Sequence, residues 1–364
     1  MKVLHYYSKD DLMVSQYVSM LCQGMGLEAH QHQATESGEA RKLLQENHYD
    51  ILHLHGCWRN SSRSIVNMAL KANTRLVLTP HGQLQPWVLE ERQWKEKLPK
   101  RLLYQRNIVR RAYAVIIQGK MEQECMQRLR WNPRTVIIRN CVVTSSTTKT
   151  DMARQTFSLY RKVMDSNPLE LMQDETRQTL RTLIKAGITG SQRWLTADDE
   201  RPVINQWREL LCFAHQEQIT DTIQRGIRVL GLDAPDIDVE HIAHFLPDGF
   251  QPAESIGAAI GNQFVSENER LLATFRYLRK LTVSHQLGIK HLVELNRELR
   301  EHDCNEETLR DSLEERYLLK SAARLMQLMQ DLTGLTEGFM PIPPLNDRIT
   351  RQIRRQIDNH LTIS

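Results

Sequence analysis

The sequence predicts a doubly wound parallel α/β sheet over residues 1–143, followed by an all-helical second domain. Three observations carry this. Short apolar runs alternate with amphipathic stretches as far as Val143, the order in which βαβ units are built. Two of those runs end in a histidine followed by glycine, YDILHLHGCW (49–58) and RLVLTPHGQL (75–84). Beyond residue 150 the strand signal stops, and apolar residues recur at helical spacing nearly throughout.

Residues 2–6 (KVLHY) form the first strand, and a helical pattern over 12–25 is stopped by Gly26. A second strand follows over 27–31, a helix over 36–47, a third strand over 50–54, a helix over 61–72 and a fourth strand over 76–78. YAVII (113–117) and TVII (135–138) supply two more, separated by a helix over 121–130. The polar TSSTTKT (144–150) reads as a linker. Within 151–364, Trp207, Leu210, Leu211 and Ala214 share one helix face, and Ile219, Ile223 and Ile227 another. The longest periodic stretches, 271–300 and 306–332, are joined by HDCN and predict a long antiparallel helix pair. GFMPIPP (338–344) precedes a last basic helix over 347–360.

At 364 residues the chain is long enough for two domains with cores of their own. It is 40% hydrophobic and 25% charged, without an apolar run near the ~18 residues of a membrane span. MKVLHYYSKDD lacks the apolar core of a secretory signal, so the expected location is the cytoplasm. The six cysteines are scattered with no CxxC pair and read as reduced packing residues. Residues 1–150 hold 22 Lys and Arg against 12 Asp and Glu, whereas 151–364 hold 26 against 32, so a basic first domain precedes an acidic second.

In an open parallel sheet, ligands bind outside the carboxyl ends of the strands, which makes the two His-Gly turns the candidate site. His53 and His55 share a strand face at the spacing of an HxH metal pair, with His5 and His81 as candidates for further ligands. No HExxH or carboxylate-rich motif accompanies them, and the expectation is a site without metal. Pro80 fixes the turn before His81, and Gly82 lets the backbone approach a ligand. A histidine there can donate to a sugar hydroxyl or bond a neighbouring loop. The stretch 87–111 is basic, with Trp94, Leu98 and Leu102 recurring every four residues. Such a helix either lies on an anionic membrane or packs its stripe against the sheet.

Taken in order, HLHGCW, LTPHGQLQPW, KEKLPKRLLYQRNIVRRAYAVI and QGKMEQECMQRLRWNPRTVIIRNCV resemble the amino-terminal domain of family-4 glycosyltransferases of the two-Rossmann GT-B type. There the stretches commonly read HxHG.W, TPHG, a basic helix ending RRAD, a turn followed by xEx, and a strand ending IPNGV. The resemblance covers residues 1–143 and implies a Rossmann-like fold. It implies that His81 faces the donor sugar as the catalytic residue, that His55 and Gly56 line the cleft, and that the loop from Tyr6 to Asp11 lies near the acceptor. Four departures stand beside it. YYSKDDLMVS occupies the place of the usual Gly-Gly turn, Arg139 that of a proline, and Asn140-Cys141 that of the final Asn-Gly. No second Rossmann domain with a pair of glutamates follows; TEGF (336–339) echoes the start of that motif, but Leu345 stands where the second glutamate belongs.

The resemblance implies a glycosyltransferase-like protein of the hexosyltransferase type, metal-independent and without a bound cofactor. Its reaction takes a sugar from a nucleotide-sugar donor in the synthesis of bacterial surface polysaccharide or glycoconjugate. The acceptor is a saccharide or a lipid-linked saccharide, and the donor wall comes from the helical half or from a partner protein. Two other readings stand: a noncatalytic scaffold that retains only the acceptor-type domain, and an HxH metal-dependent hydrolase. The charge pattern adds peripheral association with the inner face of a membrane. Nucleic acid is not an expected partner, because the helical half is net acidic and RQIRRQ (351–356) is only a small basic patch.

Overall fold

The computed structural model describes residues 1–85, 99–166, 168–195, 206–239, 254–261 and 263–359, with the side chains of 99–103 and 194 outside that description. Contacts divide the chain into two compact units, one that takes in Met1–Ser166 and one made of the residues that follow.

In the first unit the elements run β1 (Lys2–Tyr6), α1 (Leu12–Met25), β2 (His30–Ala34), α2 (Ser37–Glu46), β3 (Ile51–His55), α3 (Asn60–Lys71), β4 (Arg75–Thr79), α4 (Pro99–Arg111), β5 (Ala114–Ile117), α5 (Lys120–Leu129), β6 (Thr135–Ile137) and α6 (Lys149–Met164). The six strands form one parallel sheet in the order β2-β1-β3-β4-β5-β6. The alternation of side chains along each strand sorts its two faces. Leu4, Tyr6, Leu52, Leu54, Leu76 and Leu78 pack with Ile65 and Val66 of α3 and with Ile108 and Val109 of α4. His5, His53, His55 and Thr79 fall on the other face, where Tyr17 of α1 and Tyr160 of α6 meet the imidazoles. The winding reverses between β1 and β3, and such a reversal opens a crevice at the carboxyl ends of the two strands.

Helix α6 crosses α1 where Gly24 leaves no room for a side chain: a Cβ there would stand 2.7 Å from the Ala153 Cβ. Arg75 of β4 donates to the backbone carbonyls of Val163 and Ser166. These contacts tie α6 to the sheet, although its helical periodicity groups it with the second domain in the sequence. The division therefore falls after Ser166 and not within 144–150.

Every described element of the second unit is helical: α7 (Asp174–Thr189), α8 (Trp207–Gln216), α9 (Thr220–Leu230), α10 (Ile256–Ile260), α11 (Glu267–Val283), α12 (Ile289–Glu301), α13 (Glu306–Glu315), α14 (Leu319–Thr333) and α15 (Arg348–Asn359), with short 3-10 turns between them. Leu183, Phe213, Phe275, Leu292, Leu325 and Met329 share its core. Helices α7 and α9 meet backbone to backbone. A Cβ on Gly187 would stand 1.9 Å from the Thr222 carbonyl oxygen, and one on Gly226 2.2 Å from that of Leu183.

Two expectations differ from these elements, and a third lies largely outside the described residues. The second strand lies at His30–Ala34 and not at 27–31, because HQHQA is an edge strand of polar residues that carries no apolar signature. Each half of the long helix pair is two helices, with left-handed residues His285 (φ 60°) and Tyr317 (φ 57°) at the breaks. Trp94 and Leu98 lie outside the described residues, as does the Leu102 side chain. The described part of that stretch starts as a helix at Pro99, a residue suited to a first helical turn. Among the described residues no helix is long and apolar enough to cross a membrane.

Candidate functional site

The site is built where β1, β3 and β4 end side by side. In the ladders His5 stands opposite His53 and His55 opposite Thr79. β3 and β4 then turn sharply. Gly56 sits at φ 82°, Gly82 at φ 77°, and His81 between strand and glycine at φ 52°. A left-handed conformation costs about 1–2 kcal/mol in a residue with a Cβ, which accounts for glycine at 56 and 82. Glu122 in the first turn of α5 holds the second turn in place, since its carboxylate accepts the backbone N–H groups of Gly82 and Gln118.

The imidazoles are joined in series. His5 Nδ1 lies 3.0 Å from His55 Nε2, His55 Nδ1 lies 3.3 Å from His81 Nε2, and Gln118 Nε2 donates to His81 Nδ1 at 2.9 Å. His5 Nε2 is 3.2 Å from Gln31 Oε1. His53 stacks beside this row, bonded to the Tyr160 hydroxyl at 2.6 Å and to Thr79 Oγ1 at 2.7 Å. Burial penalises the imidazolium form. It lowers the pKa of His5 to about 4 and that of His81 to about 3. Burial first, and then the neighbouring rings, hold His53 and His55 well below the ordinary histidine value. All four rings are therefore neutral at pH 7. Nitrogens of His5, His53 and His55 come within 4.8 Å of one another, close enough to surround one ion. Both nitrogens of each ring already have hydrogen-bond partners, however, so an ion would have to displace them.

A cleft of about 520 Å³ opens beside this row, over the carboxyl ends of β1 and β3. His55, Gly56 and Cys57 form one wall, with the loop at Ser8, Asp10 and Asp11, the first turn of α1, Arg59 and Gln83 around it. Asp11 caps α1 by accepting from the Val14 N–H at 3.1 Å. Arg59 donates to the Thr35 carbonyl and lies 4.8 Å over the Tyr6 ring, while its Nη1 is buried without a hydrogen-bond partner. Gln83 Oε1 accepts from the Cys57 N–H at 2.6 Å. Burial pushes the Cys57 thiol up, so it stays protonated and is not a nucleophile. Carboxylates that only accept, a guanidinium that only donates, and Ser8 and Gln83 that do both match the needs of a hydroxyl-rich ligand. Leu12 and Met13 add exposed apolar surface at the rim.

Of the residues singled out in the sequence, the structure brings His55, Gly56 and Asp11 to this cleft. Tyr6 is not in its wall: it points to the opposite face of the sheet, and its hydroxyl bonds Ser61 Oγ at 2.8 Å. His81 and Gly82 are not in the wall either. Both nitrogens of His81 are engaged by His55 and Gln118, and the Gly82 N–H is held by Glu122. His81 thus reaches the cleft only through His55. Sequence reasoning missed Arg59, Gln83, Gln118, Glu122 and Gln31. Gln83 follows Gly82 directly and Arg59 stands three residues after Gly56, so their position was a usable signal; Gln31 had none, because it lies on a polar edge strand that was read three residues too early.

Residues 19–141 match the family model described as a glycosyl transferase 4-like domain. No curated protein and no solved structure matches the chain.

Proposed function

From an amino-terminal domain of the family-4 glycosyltransferase type, we propose that this glycosyltransferase-like protein transfers a hexosyl group, or helps to transfer it, from a nucleotide sugar to a saccharide acceptor, free or lipid-linked. The setting we propose is bacterial surface polysaccharide or glycoconjugate synthesis at the cytoplasmic side of a membrane. One observation carries the reading: the cleft at the sheet's switch point, shared between His55–Gln83 of the matched segment and the loop and helix turn at Ser8–Val14 before it, has a lining of mixed donors and acceptors suited to sugar hydroxyls. Asp10 and Asp11 accept hydrogen bonds from hydroxyls, and Gln83 and Arg59 donate to ring and hydroxyl oxygens. Transfer of this type needs no metal, because cationic side chains and helix N-termini offset the charge of a leaving diphosphate. Arg59, beside the first turn of α1, is such a group.

A second reading is favoured by the second unit, whose described elements are all helices. In the two-domain architecture that the amino-terminal half resembles, the donor sits in a second Rossmann domain. A protein that supplies only the acceptor half would work with a donor-binding partner. Titration calorimetry on the full chain separates the two. Binding of both nucleotide sugars and oligosaccharides supports the transferase, and binding of oligosaccharides alone supports the scaffold. Binding of neither refutes both.

A further inference from the structure

We infer that Gln31, His5, His55, His81 and Gln118 form one directional hydrogen-bond wire, which sets the tautomer of the cleft-wall imidazole, His55, from an amide at the edge of the sheet. The five side chains come from β2, β1, β3, the turn after β4 and the turn after β5, one per strand in the spatial order of the sheet. The direction follows from its first member. Gln31 Nε2 donates to the Cys22 backbone carbonyl at 3.1 Å, a group that can only accept, so Gln31 Oε1 is the atom turned to His5. His5 must then donate from Nε2, across 3.2 Å. A neutral imidazole carries one proton, so His5 Nδ1 is bare and His55 must donate to it from Nε2, across 3.0 Å. The same step repeats: His55 Nδ1 is bare, His81 donates to it from Nε2 across 3.3 Å, and the bare His81 Nδ1 accepts from the Gln118 amide at 2.9 Å.

Every donor in the row has an acceptor, and the flipped Gln31 amide would set its Oε1 against the Cys22 carbonyl oxygen. Gln31 and His5 are positioning residues: neither is in the cleft wall, yet they fix which nitrogen of His55 carries its proton. The wire also competes with the metal reading of His5, His53 and His55. One ion held by His5 Nδ1 and His55 Nε2 needs both lone pairs, and the wire places a proton between those two atoms. None of this rests on the glycosyltransferase reading.

The test is long-range nitrogen-proton NMR of the full chain labelled with ¹⁵N-histidine, at neutral pH. The expected spectrum has a protonated Nε2 and a bare Nδ1 on His5, His55 and His81. A protonated Nδ1 on any of the three overturns the wire. Gln31→Met removes the anchor; the expected result is a shift of the His81 ring signals toward the other tautomer, although His81 does not touch residue 31. Unchanged His55 and His81 signals in the folded variant reduce the row to independent pairs and overturn the inference. Stoichiometric zinc or manganese bound by the wild-type protein, with loss of the His55 Nε2 proton signal, overturns it as well. The wild-type spectrum decides even where the variant does not fold.

Discussion

Mild acid should unfold the first unit along a steep slope, because its sheet buries four histidines as neutral rings. The sign is fixed by the direction of the shifts. In the unfolded chain a histidine takes up a proton as the pH falls through about 6.5, whereas in the folded unit His5 does so only at about 4 and His81 at about 3. Stability is therefore complete above the unfolded value and is lost as the pH falls from there toward the folded values. Each ring that is charged when unfolded and neutral when folded contributes about 1.4 kcal/mol per pH unit. With His53 and His55 held low in the same way, four rings give a slope on the order of 5 kcal/mol per pH unit. A domain stable by about 5–15 kcal/mol loses that margin within a few pH units. The assay is urea unfolding at a series of pH values, read by hydrogen exchange of the β3 and β4 amides. His53→Gln, which removes one titrating ring, should flatten the slope by about a quarter. A wild-type stability unchanged between about pH 7 and 5 would refute the reasoning, since the unfolded rings titrate in that interval.

The other expected outcomes concern packing, the cleft and the surface. Gly187→Ala forces a methyl to within 1.9 Å of the Thr222 carbonyl oxygen and should cost the second unit about 1–3 kcal/mol or more in thermal or urea unfolding. Gly24→Ala should destabilise the first unit by an amount of the same order, and a β-sheet exchange rate unaffected by it would contradict the docking of α6 on α1. Arg59→Ala should weaken oligosaccharide binding about tenfold, the effect of losing one charged hydrogen bond, with calorimetry as the check. Sedimentation with anionic and neutral vesicles at low and high salt tests the basic first domain: it should bind anionic vesicles only, and less at high salt.

The sheet was legible because its inner strands are buried on both faces and read as apolar runs, RLVLT and AVII among them. β2 was misplaced because an edge strand needs no apolar face, and HQHQA spends its side chains on partners such as His5 and Tyr49. Of the two His-Gly turns, the one at His55-Gly56 lines the cleft, while His81 and Gly82 are engaged by Gln118 and Glu122. Their roles were less legible. Whether His81 faces substrate or another histidine depends on a left-handed turn and on Glu122, forty residues beyond Gly82 in the first turn of α5. The place of α6 was hidden for a similar reason: a helix that packs on a sheet and one that packs in a bundle share the same periodicity.

The measurement that bears most directly on the central claim is amide chemical-shift mapping of the full chain with a panel of oligosaccharides. The account predicts saturable shifts centred on Ser8, Gly56, Cys57 and Arg59, at the carboxyl ends of β1 and β3. An oligosaccharide that binds and shifts only amides beyond Ser166, or a panel in which none binds, would contradict it.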